Sequence, residues 1–282
     1  MTYKIISDSS SDLLELSGAP YESVPLKIIT DEKEYVDNTS LNVDEMISDL
    51  RQYKGTSRTS CPNVGEWKDS FEESESVFCI TITSGLSGSY NAASTALQQY
   101  LEENPQCKGT VLDSLSTGPE SALIIEKLLE LIDKKLPFEE IESTIRTYME
   151  KLHLIFSLES LKNLANNGRV SKAVAGLAGI LNMRMVGIAS EVGTLEITDK
   201  VRGTKNALNT IYNNMLKHGY NGGKVRIHHC QNEEAAQTLA GRIKAAFPAA
   251  KIQIGKTTAL CSFYAESGGL LVGFEDLQPE GV

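Results

Sequence analysis

Residues Ile80-Thr81-Ile82-Thr83-Ser84-Gly85-Leu86-Ser87-Gly88-Ser89-Tyr90-Asn91 restrict the fold of this chain more than any other stretch. The alternating β-branched residues predict a strand. Two glycines then turn the chain, and Ala92, Ala93 and Ala96 follow at helical spacing. A strand that passes through a Ser/Gly turn into a helix points N–H groups and hydroxyls at an anion beside the helix N-terminus. Residues 84–89 are therefore the polar end of a ligand site, or serines that do no more than cap the next helix.

The same alternation runs through the first half. Strands are expected at Tyr3–Ile6, Val24–Thr30, Val77–Thr83 and Val111–Ser114. Helices are expected at Leu41–Gln52, Asn91–Leu101, Glu120–Ile132 and Phe138–Met149, with Asn42 or Asp44 capping the first. Strands alternating with helices imply a parallel, helix-covered sheet. Ser/Thr clusters occupy three strand ends, at 7–11, 84–89 and 114–117, and residues 57–61 read as a fourth, a hydroxyl-rich loop closed by Pro62. Carboxyl ends of parallel strands share one edge, so these clusters are expected to converge.

The second half mixes patterns. Strands are expected at Leu154–Leu158, Val225–His229, Lys251–Ile254 and Gly269–Phe274, with a hairpin turn at Glu191–Thr194 leading into Leu195–Ile197. Helices are expected at Leu161–Ala165, Asn206–Leu216 and Glu233–Phe247, and an apolar glycine-containing helix opens at Arg169 and runs through 173–181. The expected fold class is α/β, with an N-terminal parallel-sheet domain over 1–150 and a C-terminal α+β domain with a mixed sheet over 151–282. A chain of 282 residues is long enough for both.

The 27 Lys and Arg face 37 Asp and Glu, a net charge of −10 without basic clusters, which argues against nucleic acid as a partner. The N-terminus lacks a hydrophobic signal region, and the longest apolar run, 173–181, is too short to span a membrane. Five scattered cysteines without CxxC spacing fit a reduced, cytoplasmic protein and no metal site. Gly255-Lys256-Thr257 imitates the end of a phosphate loop, but Ala250 stands where the earlier glycine belongs. His228 and His229 point to opposite faces of a strand and are ill placed to chelate one ion. A hydrolase using Ser87 is the alternative reading, but Gly85-Leu86-Ser87-Gly88-Ser89 lacks the second glycine of a nucleophile elbow, and no histidine is poised as its base.

Several motifs, taken together, resemble the DegV family. They are Ser7-Asp8-Ser9-Ser10, Thr59-Ser60-x-Pro62, Ser84-x-x-Ser87-Gly88-Ser89-Tyr90, Asp113-Ser114, Asn167-Gly168-Arg169 and the closing Ser267-Gly268-Gly269. The resemblance covers nearly the whole chain. It implies a two-domain fold that holds one long-chain fatty acid, of the palmitate, stearate or oleate class, between the domains and needs no cofactor. It also implies service as the acyl-binding subunit of a fatty acid kinase, which presents the carboxylate to a separate ATP-using subunit without catalysis of its own. By position, Thr59, Ser60, Ser87 and Gly88 hold the carboxylate, Arg169 lies near the mouth, Ser9 and Ser84 lie near the site, and residues 173–181 line the acyl tunnel. Three residues depart from the family pattern: Cys61 replaces a common glutamine, Tyr264 stands where many members place a histidine by the carboxylate, and Glu266 stands for a glycine.

Overall fold

The computed structural model describes residues 3–72, 74–172 and 182–277. The first sheet contains β1 (Tyr3–Asp8), β2 (Tyr21–Val24), β6 (Ser76–Thr81) and β7 (Lys108–Asp113), all parallel, in the order β2-β1-β6-β7. Ile5 pairs with Phe78 and Ile6 with Cys79, and all four side chains are buried, as in a parallel sheet covered on both faces. On one face α2 (Val64–Ser70) and α3 (Ser89–Glu103) bring Trp67, Phe71, Ala93 and Ala96 against the sheet. On the other, α4 (Gly118–Asp133) and α5 (Phe138–Met149) supply Leu123, Ile124, Ile141 and Ile145.

The single strand expected over residues 24–30 is two strands in two sheets. Pro25 has no N–H for the ladder and restricts Val24 before it, so β2 stops there. The chain resumes as β3 (Lys27–Ile29), which pairs antiparallel with β4 (Glu34–Val36) and β5 (Arg58–Ser60). Residues 57–61, read as a loop, thus contain an edge strand. Strands of three residues carry too little alternation to be seen in a sequence. The helix after β4, α1 (Val43–Gln52), starts as expected: the Asn42 side chain accepts the Glu45 N–H at 3.2 Å.

The second sheet is mixed. Its strands are β8 (Leu152–Leu158), β9 (Met183–Ala189), β10 (Leu195–Arg202), β11 (Lys224–His229), β12 (Lys251–Lys256) and β13 (Leu270–Glu275), in the order β10-β9-β8-β13-β11-β12. Only the β11–β12 pairing within this sheet is parallel. One face packs under α7 (Thr204–Lys217) and α8 (Glu233–Ala246). The other face, with Leu154, Phe156, Leu158 and Leu271, turns toward the first half, where α6 (Lys162–Asn166) and α9 (Ala259–Ala265) meet it. Helix α9 was not apparent in the sequence.

Helix α4 lies between the two sheets. It packs on β1 and β6 of the first and on β8, β11 and β13 of the second. Leu123, Ile124 and Ile125 are consecutive and all buried, the mark of a helix with no solvent side along that stretch. Its more polar flank reaches the second sheet through ion pairs of Glu126 with Arg226 and Glu130 with Lys224.

Candidate functional site

The site begins at the carboxyl end of the first sheet, where Asp8 closes β1. Its buried carboxylate accepts the Ile82 N–H at 3.0 Å, the Ser89 hydroxyl at 2.6 Å and the Ser10 hydroxyl at 2.5 Å. Burial pushes the Asp8 carboxyl up, and these donors pull against that shift. One side chain thereby fixes the entry and the exit of the 82–89 loop. Within the loop, the Ser87 Oγ accepts the Ser89 N–H at 3.3 Å, a local turn just before α3, and Ser87 also lines the space beyond it.

A second anchor positions α9. The Asp37 carboxylate accepts the N–H groups of Ala259 and Leu260 at 2.8 and 3.0 Å. Burial pushes this carboxyl up to about 6 despite those donors. Asp12 accepts the Thr258 N–H at 2.8 Å and lies 2.8 Å from the His228 ring nitrogen. Held by two carboxylates from the first half, α9 presents Leu260, Cys261, Tyr264 and Ala265 to one cavity. The Tyr264 hydroxyl and the Thr59 Oγ1 lie 2.8 Å apart. Burial raises the Tyr264 phenol, while Thr59 and the Arg169 charge pull it down, so it stays a neutral donor at physiological pH.

These elements enclose a cavity of about 330 Å³ between the halves. Its polar end has Thr59 and Ser60 from β5, Ser87 and Gly88 from the loop, Tyr264 from α9, and Arg169. Arg169 donates to the Leu86 carbonyl at 3.1 Å and to the Asn167 carbonyl at 2.5 Å. Apart from Thr117 the rest is apolar, floored by Leu154, Phe156, Leu158 and Leu271 of the second sheet and walled by Leu26, Ile82 and Leu260. Gly187 on β9 leaves room for the Phe156 ring, which a Cβ there would strike. Hydroxyls and one guanidinium at one end of an oily slot suit an anionic head on a hydrocarbon body.

Thr59, Ser60, Ser87, Gly88, Tyr264 and Arg169 thus line one cavity although 205 residues separate the first from Tyr264. Ser9 lies behind the wall, fully buried, its hydroxyl accepting the Leu26 N–H at 3.0 Å. Ser84 is exposed and gives its N–H to Asp113. Of the cluster at 114–117 only Thr117 reaches the cavity. The tunnel helix expected over 173–181 lies outside the described residues. The apolar floor was missed in the sequence, although Leu154, Phe156 and Leu158 alternate along one strand face.

The arrangement does not support a Ser87-centred hydrolase. His228 sits against Asp12, His153 against Asp276, and the His229 ring nitrogen accepts the Asn232 N–H. His218 packs on the His153 ring. All four histidines are engaged away from Ser87. Among the described residues no group of three His, Cys, Asp or Glu side chains is placed to hold a metal ion, and no helix is long and apolar enough to cross a membrane.

Known proteins share both sequence and architecture. A DegV domain-containing protein of Streptococcus pneumoniae is 44% identical over 279 residues, which is 98% of this chain and 99% of the relative. The crystal structure of the Streptococcus pneumoniae fatty acid kinase (Fak) B3 protein, loaded with linoleic acid, superposes with a TM-score of 0.96 at 43% identity, covering 98% of this chain and 100% of that one. A DegV family protein from Eubacterium eligens, loaded with heptadecanoic acid, gives a TM-score of 0.96 at 42% identity with the same coverage. The family model described as "Uncharacterised protein, DegV family" matches residues 2–275. With matches of this extent, the chain belongs to the DegV family.

Proposed function

We propose that this protein binds a single long-chain fatty acid, its carboxylate among Thr59, Ser60, Ser87, Gly88 and Tyr264 and its chain along the apolar sheet face. In this reading residues 1–150 and 151–282 are two domains that enclose the ligand, and Arg169 sits at the mouth. The protein works in the cytoplasm and presents the carboxylate to a separate fatty acid kinase catalytic subunit, doing no chemistry itself. The observation that carries the reading is one cavity with hydroxyls at one end and leucines along its length. The linoleic and heptadecanoic acids held by relatives above 40% identity support it.

The energetics agree. Burying about fourteen methylenes at about 0.8 kcal/mol each contributes on the order of 11 kcal/mol before the costs of association are subtracted. The polar end therefore needs only to orient the head. Purified protein is expected to carry one long-chain acid per chain in native mass spectrometry, identified after solvent extraction. A mass equal to the bare polypeptide, unmoved by added oleate, rules the reading out.

Tyr264 makes a finer test. Its phenol replaces a group that can become cationic, so the carboxylate relies on neutral donors and on Arg169. Removing the hydroxyl in Tyr264→Phe is expected to weaken fatty-acid binding by about 1–2 kcal/mol. Affinity between pH 6 and 8 should follow no histidine-like titration. Fluorescent fatty-acid displacement at several pH values measures both, and parent-like binding by the variant removes Tyr264 from the headgroup.

A further inference from the structure

The turn joining β9 to β10, residues 190–194, leaves the second sheet and lands on the first. Thr83, just beyond β6, donates its hydroxyl to the Gly193 carbonyl at 2.8 Å and accepts the Gly85 N–H at 3.1 Å. Thr83 is 2% exposed, so this link between the halves is shielded from water. Two glycines permit the approach. A Cβ on Gly85 would sit 2.8 Å from the Val192 carbonyl oxygen, and one on Gly193, at φ +71°, would overlap the Thr83 hydroxyl. The turn is braced internally by a Gly193 N–H to Ser190 carbonyl bond of 2.8 Å and by the paired hydroxyls of Ser190 and Thr194.

The turn stands between two cavities. On one side Ile82, Leu86 and Leu195 line the cavity already described. On the other, Leu115, Glu191 and Val192 line a second one of about 1030 Å³, and Leu154 belongs to both. Leu115, against Gly193, adopts φ +50°, which bulky side chains avoid. Val192 at the tip is 69% exposed. The uncovered apolar tip sets this junction apart from the opposite wall, where Asp37 and Asp12 anchor α9.

We propose that the 190–194 turn is a strap pinned by Thr83 that lifts when the acyl ligand enters or leaves the cavity. The same hydroxyl holds the Gly85 N–H, so releasing the strap also loosens the loop that carries Leu86, Ser87 and Gly88. Wall and strap then open together, while the α9 side stays in place. The inference rests on the fatty-acid reading above.

Release of cis-parinaric acid, a fluorescent long-chain acid, into excess oleate by stopped flow tests it. Thr83→Val, which keeps the shape and removes the hydroxyl, is expected to release the probe about tenfold faster. Thr83→Ser should keep the parent rate. Gly85→Ala, which wedges the contact by a different route, should also accelerate release. Ile141→Val, a buried change on α5 away from the strap, serves as the stability control and should leave the rate unchanged. If the parent binds one probe per chain and Thr83→Val releases it at the parent rate, the strap is wrong and the fatty-acid reading stands. Equal acceleration by Ile141→Val overturns the strap as well. A parent that takes up no probe overturns both.

Discussion

Glu120→Gln is expected to stabilise the protein by about 3 kcal/mol at pH 8 and to leave it unchanged near pH 4. Glu120 is 6% exposed on α4, and its hydrogen-bonding partner is the Ser116 hydroxyl, which donates to it at 2.6 Å. Burial pushes the carboxyl up to about 7 from an ordinary value of 4.5. Between those values the folded protein keeps a proton that the unfolded chain has released. Stability contributed by this group is therefore complete below pH 4.5 and falls as pH rises to 7. Asp37, pushed from 3.8 up to about 6, adds a slope of the same sign. Glutamine keeps the acceptor for Ser116 and never ionises. Urea unfolding of parent and variant at the two pH values measures the difference. A Gln variant less stable than the parent at pH 8 means that the Glu120 charge is compensated in the fold.

The second large effect concerns Asp8. Asp8→Ala leaves the Ile82 N–H and the hydroxyls of Ser10 and Ser89 without their acceptor in a buried site. Orphaned buried donors cost about 1–3 kcal/mol each, and relief from burying the carboxylate offsets part of that. A net loss of about 3 kcal/mol is expected. Binding suffers beyond stability, because the 82–89 loop loses the anchor at both its ends and Ser87 loses its aim. Asp8→Asn, which keeps one acceptor oxygen, should recover part of both. Urea midpoints and fluorescent fatty-acid titration check the pair. A stable Asp8→Ala protein that titrates like the parent would remove Asp8 from the site's support.

Much of this architecture is legible in the sequence, for identifiable reasons. The helix over Phe138–Met149 has the expected bounds because its apolar spacing is strong and Pro137 marks its start. The parallel sheet follows from strands alternating with helices, as β6 and β7 do with α3 and α4. The strands β4 and β5 escaped because three residues cannot display a period, and the strand expected over 24–30 did not show its break at Pro25. Helix α9 escaped for another reason: its seven residues start just after Thr258, and the carboxylates that stop its N-terminus fraying, Asp37 and Asp12, lie more than 200 residues earlier. The site divides in the same way. Hydroxyls clustered at strand ends flag a polar cradle locally. The apolar floor becomes one surface only when β8 and β13 pair, setting Leu154 beside Gly273 and Phe156 beside Leu271.

That pairing bears on how the chain acquires its shape as it is made. Among the described residues β13 is the last of thirteen strands in chain order, yet it occupies an interior place between β8 and β11. Until it emerges from the ribosome, β8 and β11 have no common neighbour, and Gly273 is not there for Pro119 and Glu120 of α4 to close over. A nascent chain that has completed the first sheet still exposes the flank of α4 that the second sheet will cover. It can seal that flank, and form the oily slot beneath it, only after β13 has been made.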